Sequence, residues 1–579
     1  MYRLLLFLFV LSSCVKSNKQ NTVQWNQWSA DVFERAKKEN KLVLLDLKAN
    51  WCHWCHVMDD STYGNSDVIE YLNKNFISVE ADHDARPDLA ARYRPWGWPA
   101  TIIFNANGEE ILKHAGFVNP PDFLNLLEKC VENPVAEEST ENEFIANTDK
   151  SYFATTALPL LKAKSNRYLD FENGGFKRAQ KSIDWYAFEY ALHTYKKDTS
   201  LLGWLEKSVA NAHGIMDEAW GGVYQYSTFA DWNHPHYEKL LSVQARYIKM
   251  YTWYAKAFSD DNALKTAEKI ADYCFRFLWN EGKGFYSAQD ADLVAGEKGT
   301  GYFELGDKER MKKGIPAIDK HIFTSNNGMM VRSLIILWGA TGKEKYLESA
   351  KQIVEYMLKN RRTDDGGFWH DDNQNEIIAL ADNSPMADAL LMMYRSTGEK
   401  KYLDETCKTA AFIHKTFATG KGNYQSDKTN NGLKPQVVLN ENIDLCRFFN
   451  LLWHISEKME FKRYADSIFT YLSSESLIKR ISTEPGIMMA YEELQKEPLA
   501  GTFLVFTETE DAKNVVREMI SYPEYYFSNH TYVPTTIPND KKEIFSSFDS
   551  NVLFFCTSMY CSSPVSNVEE VKDFLYKTK

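Results

Sequence analysis

Residues 51–56 read Trp-Cys-His-Trp-Cys-His, and two cysteines with two histidines in six positions admit three different chemistries. Cys52 and Cys55 form a CxxC redox pair; with His56 they spell the CxxCH haem-attachment pattern; and sulfur beside imidazole can ligate a metal. A c-type haem needs a mostly helical pocket and a distal ligand, and neither is visible nearby. A structural metal wants four closed ligands in a small fold. The redox reading is therefore preferred, no metal or other cofactor is expected, and His53 and His56 are read as facing solvent or tuning the Cys52 thiolate. A protonated His53 would push the couple toward the oxidising side.

A second group lies far downstream. His234, His236, Glu238 and Lys239 cluster beside Trp232 just before a helical pattern, and Asp290 and Asp292 follow a glycine-aromatic loop. Paired carboxylates could supply the acid and base of glycoside cleavage, and histidines the proton transfers of a sugar epimerase. Turn capping explains Asp290 and Asp292 equally well, because such side chains hydrogen-bond their own backbone. Trp220, Tyr224, Trp232 and Trp369 are candidate stacking platforms for a saccharide, and Asp382 joins them as a candidate ligand contact.

The elements that must position the first group are legible. Lys41 to Lys48 (KLVLLDLK) is a strand-length apolar run, the CxxC follows after two residues, and a helical stretch is expected from about Val57 to Leu72. Cys52 then sits at a helix N-terminus, where orphan N–H groups and the dipole favour thiolate. Strands are expected at Phe76 to Ala81, Thr101 to Phe104 and Glu110 to His114, with a last helix from about Asp122 to Cys130. This order resembles the thioredoxin fold. The resemblance implies that Asp46, six residues before Cys52, is the buried carboxylate that takes a proton from the second cysteine, and that Pro99 is the cis-proline facing the disulfide.

At 579 residues the chain holds three or four domain-sized units, and 44% hydrophobic content suits globular packing. The net charge of −12 is spread without a basic stripe, which argues against nucleic acid as a partner. The apolar run Leu4 to Leu11 is too short for a bilayer, which needs about twenty residues, but it suits a signal h-region. Leu11-Ser12-Ser13-Cys14 resembles a bacterial lipobox, with Cys14 as the lipidated residue; an ordinary secretory signal is the alternative. Residues 1–20 are thus expected to be a signal and tether, and the protein an exported lipoprotein anchored to a membrane on the periplasmic or outer side. In that setting disulfides persist. Cys52–Cys55 is one expected pair. Cys556 and Cys561 read most simply as a structural disulfide, with a metal clip or a second exchanging dithiol as alternatives. Cys130, Cys274, Cys407 and Cys446 read as buried thiols.

The first domain is expected at 21–133, followed by a polar, acidic linker over 134–150. Between 151 and 495, amphipathic helices alternate with loops such as Gly174-Gly175-Phe176, Gly221-Gly222-Val223-Tyr224, Gly284-Phe285-Tyr286 and Gly366-Gly367-Phe368-Trp369. That period fits helical hairpins, which can close into an α/α toroid around a central cavity. Residues 496–579 read as a small α/β element, with strands at 501–507 and 551–556 and helices at 510–520 and 567–577.

The segments WCHWCHVMDDSTY, GGFKRAQK (174–181), GGVYQYSTFADWNHPHYEKLL (221–241), GFYSAQDAD (284–292), TSNNGMM (324–330) and FFCTSMYCSSPVSNVEE (554–570) resemble those of the spermatogenesis-associated thioredoxin-like family. The resemblance implies a thioredoxin domain fused to a toroid of the six-hairpin glycosidase class. This chain departs from the family at Asn326, usually tryptophan, and at Ala381-Asp382-Asn383, usually Glu-Asp-Tyr. The function expected from the whole is thiol–disulfide exchange, with Cys52 attacking and Cys55 resolving, beside a toroid that binds a carbohydrate or a glycosylated partner. A catalytic toroid (glycosidase or epimerase) with a structural thioredoxin domain, and a wholly non-enzymatic binding protein, are the alternatives.

Overall fold

The computed structural model describes residues 22–136, 151–372, 378–420, 422–426 and 432–577, apart from 508, 523–526, 538–541, 546, 557–560 and 566. The leader, Cys14 and most of the expected linker fall outside the described residues.

The first domain is a five-stranded mixed sheet. Its elements are β1 (Asn26–Gln27), α1 (Asp31–Glu39), β2 (Leu42–Lys48), α2 (His53–Ser61), α3 (Ser66–Asn75), β3 (Phe76–Asp82), α4 (Pro87–Tyr93), β4 (Ala100–Phe104), β5 (Glu110–Ala115) and α5 (Pro120–Glu132). The strand order is β1-β3-β2-β4-β5, with β2 parallel to β3 and antiparallel to β4. This is the expected thioredoxin-like α/β domain. Strand β2 is central and buried on both faces, so it reads as a continuous apolar run instead of an alternating one. Leu44 packs with Met58 of α2 on one face, and Val43, Leu45 and Leu47 pack on the other. Asp46 shares the parity of Leu44 and therefore lies on the face that α2 covers.

One expected helix is two. The stretch from Val57 onward breaks between Ser61 and Ser66, because Asn65 stops the chain in an extended conformation and its side chain accepts the Asp67 and Val68 N–H groups as a new N-cap.

The middle of the chain is the toroid. Its main helices are α6 (Leu158–Tyr168), α7 (Trp185–Thr194), α8 (Ser200–Asn211), α9 (Leu241–Phe258), α10 (Asp261–Tyr273), α11 (Thr324–Thr341), α12 (Glu344–Asn360), α13 (Leu380–Thr397), α14 (Lys400–Phe417), α15 (Leu439–Ser456), α16 (Met459–Leu472) and α17 (Pro485–Gln495). An inner ring closes through the contacts α7–α9–α11–α13–α15–α17–α7, and the other helices pack outside it. The inner helices α11 and α13 are buried over most of their surface, and their polar residues, such as Asn327, Asp382 and Asn383, are hydrogen-bonded to the loops.

The glycine-aromatic loops have a structural cause. Gly221 has φ of +77°, and a Cβ there would lie 2.5 Å from the Lys269 carbonyl oxygen of α10, so the loop closes against that helix only with glycine. Four of the loops are then held by an amide from the start of an inner helix, while the Gly174-Gly175 loop is held by Ser208 and Trp204 of α8. Gln244 clasps the Val223 N–H and C=O at 2.7 and 2.7 Å, Asn327 clasps those of Phe285 at 2.8 and 3.0 Å, and Asn383 those of Phe368 at 2.8 and 3.3 Å. Asn442 does the same at Asn423, at 2.8 and 3.0 Å.

At the C-terminal end Leu499–Leu504 is the middle strand of three, parallel to Phe527–Tyr532 and antiparallel to Val552–Cys556. Helix Glu510–Ser521 docks on α11. Cys556 and Cys561 are disulfide-bonded, and Cys130, Cys274, Cys407 and Cys446 are buried thiols. Among the described residues no helix is long and apolar enough to cross a membrane.

Candidate functional site: a redox turn walled by the toroid

Cys52 is the N-cap of α2, in extended conformation, and its sulfur accepts the Cys55 N–H at 3.2 Å. The two cysteines are disulfide-bonded, and the Trp98–Pro99 peptide beside them is cis. Asp46 is 1% exposed, its Oδ1 has no hydrogen-bond partner, and burial pushes its pKa up to about 7. A carboxyl with that proton affinity can take up or give back a proton near neutrality.

The sulfurs do not face open solvent. Cys52 and Cys55 are 4% and 2% exposed, packed with Ala49, Trp51 and Trp98 of their own domain and with Leu240 and Ala288 of the toroid. Leu240 and Ala288 are paired directly across two short antiparallel strands, so one small toroid sheet forms this wall.

Two histidines of the turn reach across the same boundary. His53 Nδ1 lies 2.8 and 2.9 Å from the two Asp292 oxygens, and His56 Nδ1 lies 3.2 Å from Asp292 Oδ2. His56 Nε2 meets the Asn50 carbonyl at 3.0 Å and stands 3.8 Å from Asp290. Both His56 nitrogens thus face acceptors, and the bond to Asp292 raises its pKa to about 9. The expectation that these histidines face solvent is corrected: both are part-buried against the toroid.

The sign of the pH effect follows. A histidine whose folded pKa is raised adds stability that is complete below its ordinary value of 6.5 and is lost as pH rises through about 9. The melting midpoint of the oxidised protein should fall between about pH 6.5 and 9, and His56→Gln should flatten that fall; an unchanged pH slope in the variant would refute the clamp.

Glu238 completes the wall. It is 3% exposed, its carboxyl sits against the His53 backbone N–H and near Asp290 and Asp292, and burial raises its pKa to about 7. Burial likewise raises Asp290 to about 6, whereas Asp292 stays low because His53 and His56 outweigh its desolvation. His236 stacks on Tyr226 at 4.4 Å, and burial, with His53 nearby, lowers its pKa to about 4.

The remaining candidates are spread more widely. Lys239 is buried in an ion pair with Asp217 at 2.5 Å, and Arg310 joins the same carboxylate at 2.7 Å. Trp232 is buried and donates to the Asn173 carbonyl at 2.7 Å, and His234 points outward beside Asp231. Trp220 and Tyr224 are 5% and 4% exposed and pack in the core. Trp369 lies in the loop before α13, where its carbonyl accepts the Thr324 hydroxyl at 2.6 Å. Asp382 holds His370 Nδ1 at 2.9 Å, and His370 Nε2 donates to the Asp84 carbonyl of the first domain at 2.6 Å. Asp84 in turn accepts the Trp51 indole N–H at 2.6 Å, which links the toroid to the CxxC turn by a second route.

A further group was not legible in sequence. Arg94, from the first domain, pairs with Glu441 at the start of α15 at 2.6 Å. Below it the inner ring carries Arg246 and Asp444, both with solvent-accessible surface, yet burial lowers the one and raises the other. Arg94, Arg246 and Asp444 lie close enough to feel one another's charge, and a cavity of about 190 Å³ is lined by Trp185, Arg246 and Tyr247. Lys249 lies between Trp185 and Trp253, 4.1 and 4.6 Å from their ring centres.

Residues 8–148 match the family described as "Protein of unknown function, DUF255", and residues 305–436 match Glycosyl Hydrolase Family 88. An uncharacterized protein of Caenorhabditis elegans is 21% identical over 96% of this chain and 95% of its own length. Human spermatogenesis-associated protein 20 is 30% identical over 47% of this chain. That match covers 39% of the human protein's length. The thiol:disulfide interchange protein DsbD of Campylobacter jejuni is 30% identical over 17% of this chain and 18% of its own length.

Proposed function

We propose that this protein is a thiol–disulfide oxidoreductase whose redox turn works inside a site built by two domains. The observation that carries the reading is the placement of Cys52 as the N-cap of α2, with its sulfur on the Cys55 N–H, over a face that holds an isolated, protonatable Asp46. In the reduced form the Cys52 thiolate attacks a substrate disulfide and releases one thiolate. Asp46 takes the Cys55 proton, the Cys55 thiolate attacks the Cys52 sulfur, and the second substrate sulfur leaves as thiol; two electrons pass from the dithiol to the substrate. The likeness of the domain to part of a thiol:disulfide interchange protein supports this reading. Because toroid residues cover the sulfurs, substrates are low-molecular-weight disulfides, or a partner protein that displaces the 288–292 loop.

Equilibration with glutathione buffers, read by mass spectrometry of alkylated protein, tests the proposal. Wild type should show a defined dithiol–disulfide couple and reduce a small disulfide, and Cys52→Ser should lose turnover by at least about a hundredfold. Wild type with no couple, or full activity in Cys52→Ser, refutes it.

A second reading concerns the toroid. The cavity lined by Trp185, Gln225, Arg246 and Tyr247, with Lys249 over Trp185 and Asp444 near Arg246, suits a small polar ligand of saccharide type, whether free or on a glycosylated partner. Thermal-shift screening of mono- and disaccharides should find a ligand whose affinity falls about tenfold or more in Trp185→Ala. Product analysis on that ligand then separates binding from glycosidase or epimerase action.

The leader supports export as a lipoprotein. Metabolic labelling with an alkyne fatty acid should mark the wild-type chain in a bacterial host and leave Cys14→Ser unlabelled; equal labelling of both would refute lipidation at Cys14.

A further inference from the structure

Three segments far apart in the chain bring histidines and carboxylates to one buried corner beside the disulfide. The turn supplies His53 and His56, the 235–240 strand pair supplies His236 and Glu238, and the loop after Gln289 supplies Asp290 and Asp292. Ligand atoms of His56, Asp290 and Asp292 all lie within 4.8 Å of one another, close enough to touch one ion. The independent observation is Glu238. Its Oε2 is buried with no hydrogen-bond partner, and its carboxyl lies near both Asp290 and Asp292. Its nearest basic group, His236 Nδ1, stands 3.9 Å away, beyond hydrogen-bond reach, and a buried carboxylate oxygen without a hydrogen bond costs free energy that a bound cation would relieve.

Among the described residues, the ion-pair partners of these three carboxylates are all histidines. That distinguishes the corner from the Asp217–Lys239–Arg310 network nearby, where lysine and arginine supply permanent charge. A histidine is a removable counter-ion: when it gives up its proton, the same imidazole becomes a ligand.

We propose that His56, Asp290 and Asp292 bind a first-row divalent cation of the zinc or manganese class, with Glu238 as a further oxygen ligand, direct or through water, and His53 and His236 flanking. The mixed nitrogen and oxygen donors select this class over magnesium or calcium, which prefer all-oxygen shells. Binding replaces the proton held on His56, which leaves to solvent. The ion then joins the CxxC turn to the toroid by coordination, where the ion-free site uses hydrogen bonds.

The test uses the full chain with Cys52→Ser and Cys55→Ser, so that no thiolate competes for metal and the outcome is independent of thiol exchange. After chelator treatment, zinc and manganese salts are titrated separately by calorimetry. One saturable site per chain is expected for at least one of them, weakened about tenfold or more by Asp290→Asn and by Glu238→Gln, and unchanged by His213→Ala. Circular dichroism and melting midpoints of the Asn and Gln variants, which keep side-chain shape, verify that both remain folded. No saturable binding by millimolar metal, or equal affinity in the folded Asp290→Asn and Glu238→Gln proteins, overturns the proposal.

Discussion

Asp46→Asn is expected to stabilise the protein at alkaline pH while slowing exchange. A carboxyl whose folded pKa is raised from 3.8 to about 7 costs nothing while it is protonated in both states, and penalises the fold progressively as pH rises from its unfolded value through the folded one. Above that window the ionisation penalty is roughly 4 kcal/mol, taking about 1.4 kcal/mol per pKa unit. Asparagine removes it, but Asp46 Oδ1 already lacks a partner, and an unsatisfied amide takes back about 1–3 kcal/mol. The net gain at pH 8 is therefore on the order of 2 kcal/mol, turning into a small loss near pH 5. Urea denaturation of the oxidised protein at both pH values reads this crossing directly. If the variant keeps the wild-type pH slope, Asp46 is not the group responsible. Resolution of mixed disulfides should meanwhile slow, because asparagine cannot take up the Cys55 proton; such an exchange of stability for activity is what a catalytic role predicts and a packing role does not.

How much of this was legible in sequence depends on the distance over which each signal acts. Strands β2 to β5 and the closing helix α5 show in local patterning, and the resemblance to the thioredoxin fold points to Asp46 on β2 and to Pro99 just before β4. Helix α1, the two-residue β1 and helix α4 were missed, since a short edge strand carries no period and α4 follows directly on a polar turn. The toroid's glycine-aromatic loops were legible as repeats. The amides that hold them, Gln244, Asn327, Asn383 and Asn442, were not, although each lies three to four residues into its inner helix, a spacing a repeat-aligned reading could have found. Asn383 falls in a triplet that departs from the family's usual residues, yet it makes the same clasp as Asn327.

The larger omission was that two candidate sites are one. His53 and Asp292 are 239 residues apart and belong to different domains, and no periodicity or turn rule acts over that separation. Sequence alone therefore assigned Asp290, Asp292, Glu238 and His236 to a saccharide pocket and left His53 either facing solvent or tuning Cys52, where the fold brings all five beside the CxxC turn. The cavity beside Trp185 and Arg246 lies elsewhere, and Arg246, Lys249 and Asp444 sit mid-helix among apolar neighbours, where a charge reads as incidental.

Asp217→Asn should be among the most damaging single substitutions in the chain. The carboxylate is fully buried and neutralises Lys239 and Arg310, which are 0% and 1% exposed, while its Oδ1 accepts the Ala219 N–H at 3.0 Å in the turn before Gly221. Asparagine keeps the turn bond and removes only the charge, so the effect isolates the ion network. Two cations left in the interior without their partner are expected to cost about 3–5 kcal/mol. Lys239 fixes the pH signature. Burial lowers its pKa to about 8, so below that value the wild-type fold accepts its proton with Asp217 as partner. The variant fold does not, and the difference in stability should widen as pH falls from about 8 toward 6. A constant difference across that range would show that Lys239 is not carrying the charge. The consequence reaches the redox turn, because Lys239 and Leu240 pair with Gln289 and Ala288 in the wall over the sulfurs. In the reduced variant, Cys52 should react with iodoacetamide faster than in wild type by about tenfold or more, as the wall opens with local stability lost. If Lys239 instead acted on a ligand as a catalytic group, Asp217→Asn would lower turnover and leave both the melting midpoint and Cys52 accessibility unchanged; the two readouts together separate a brace from a reagent.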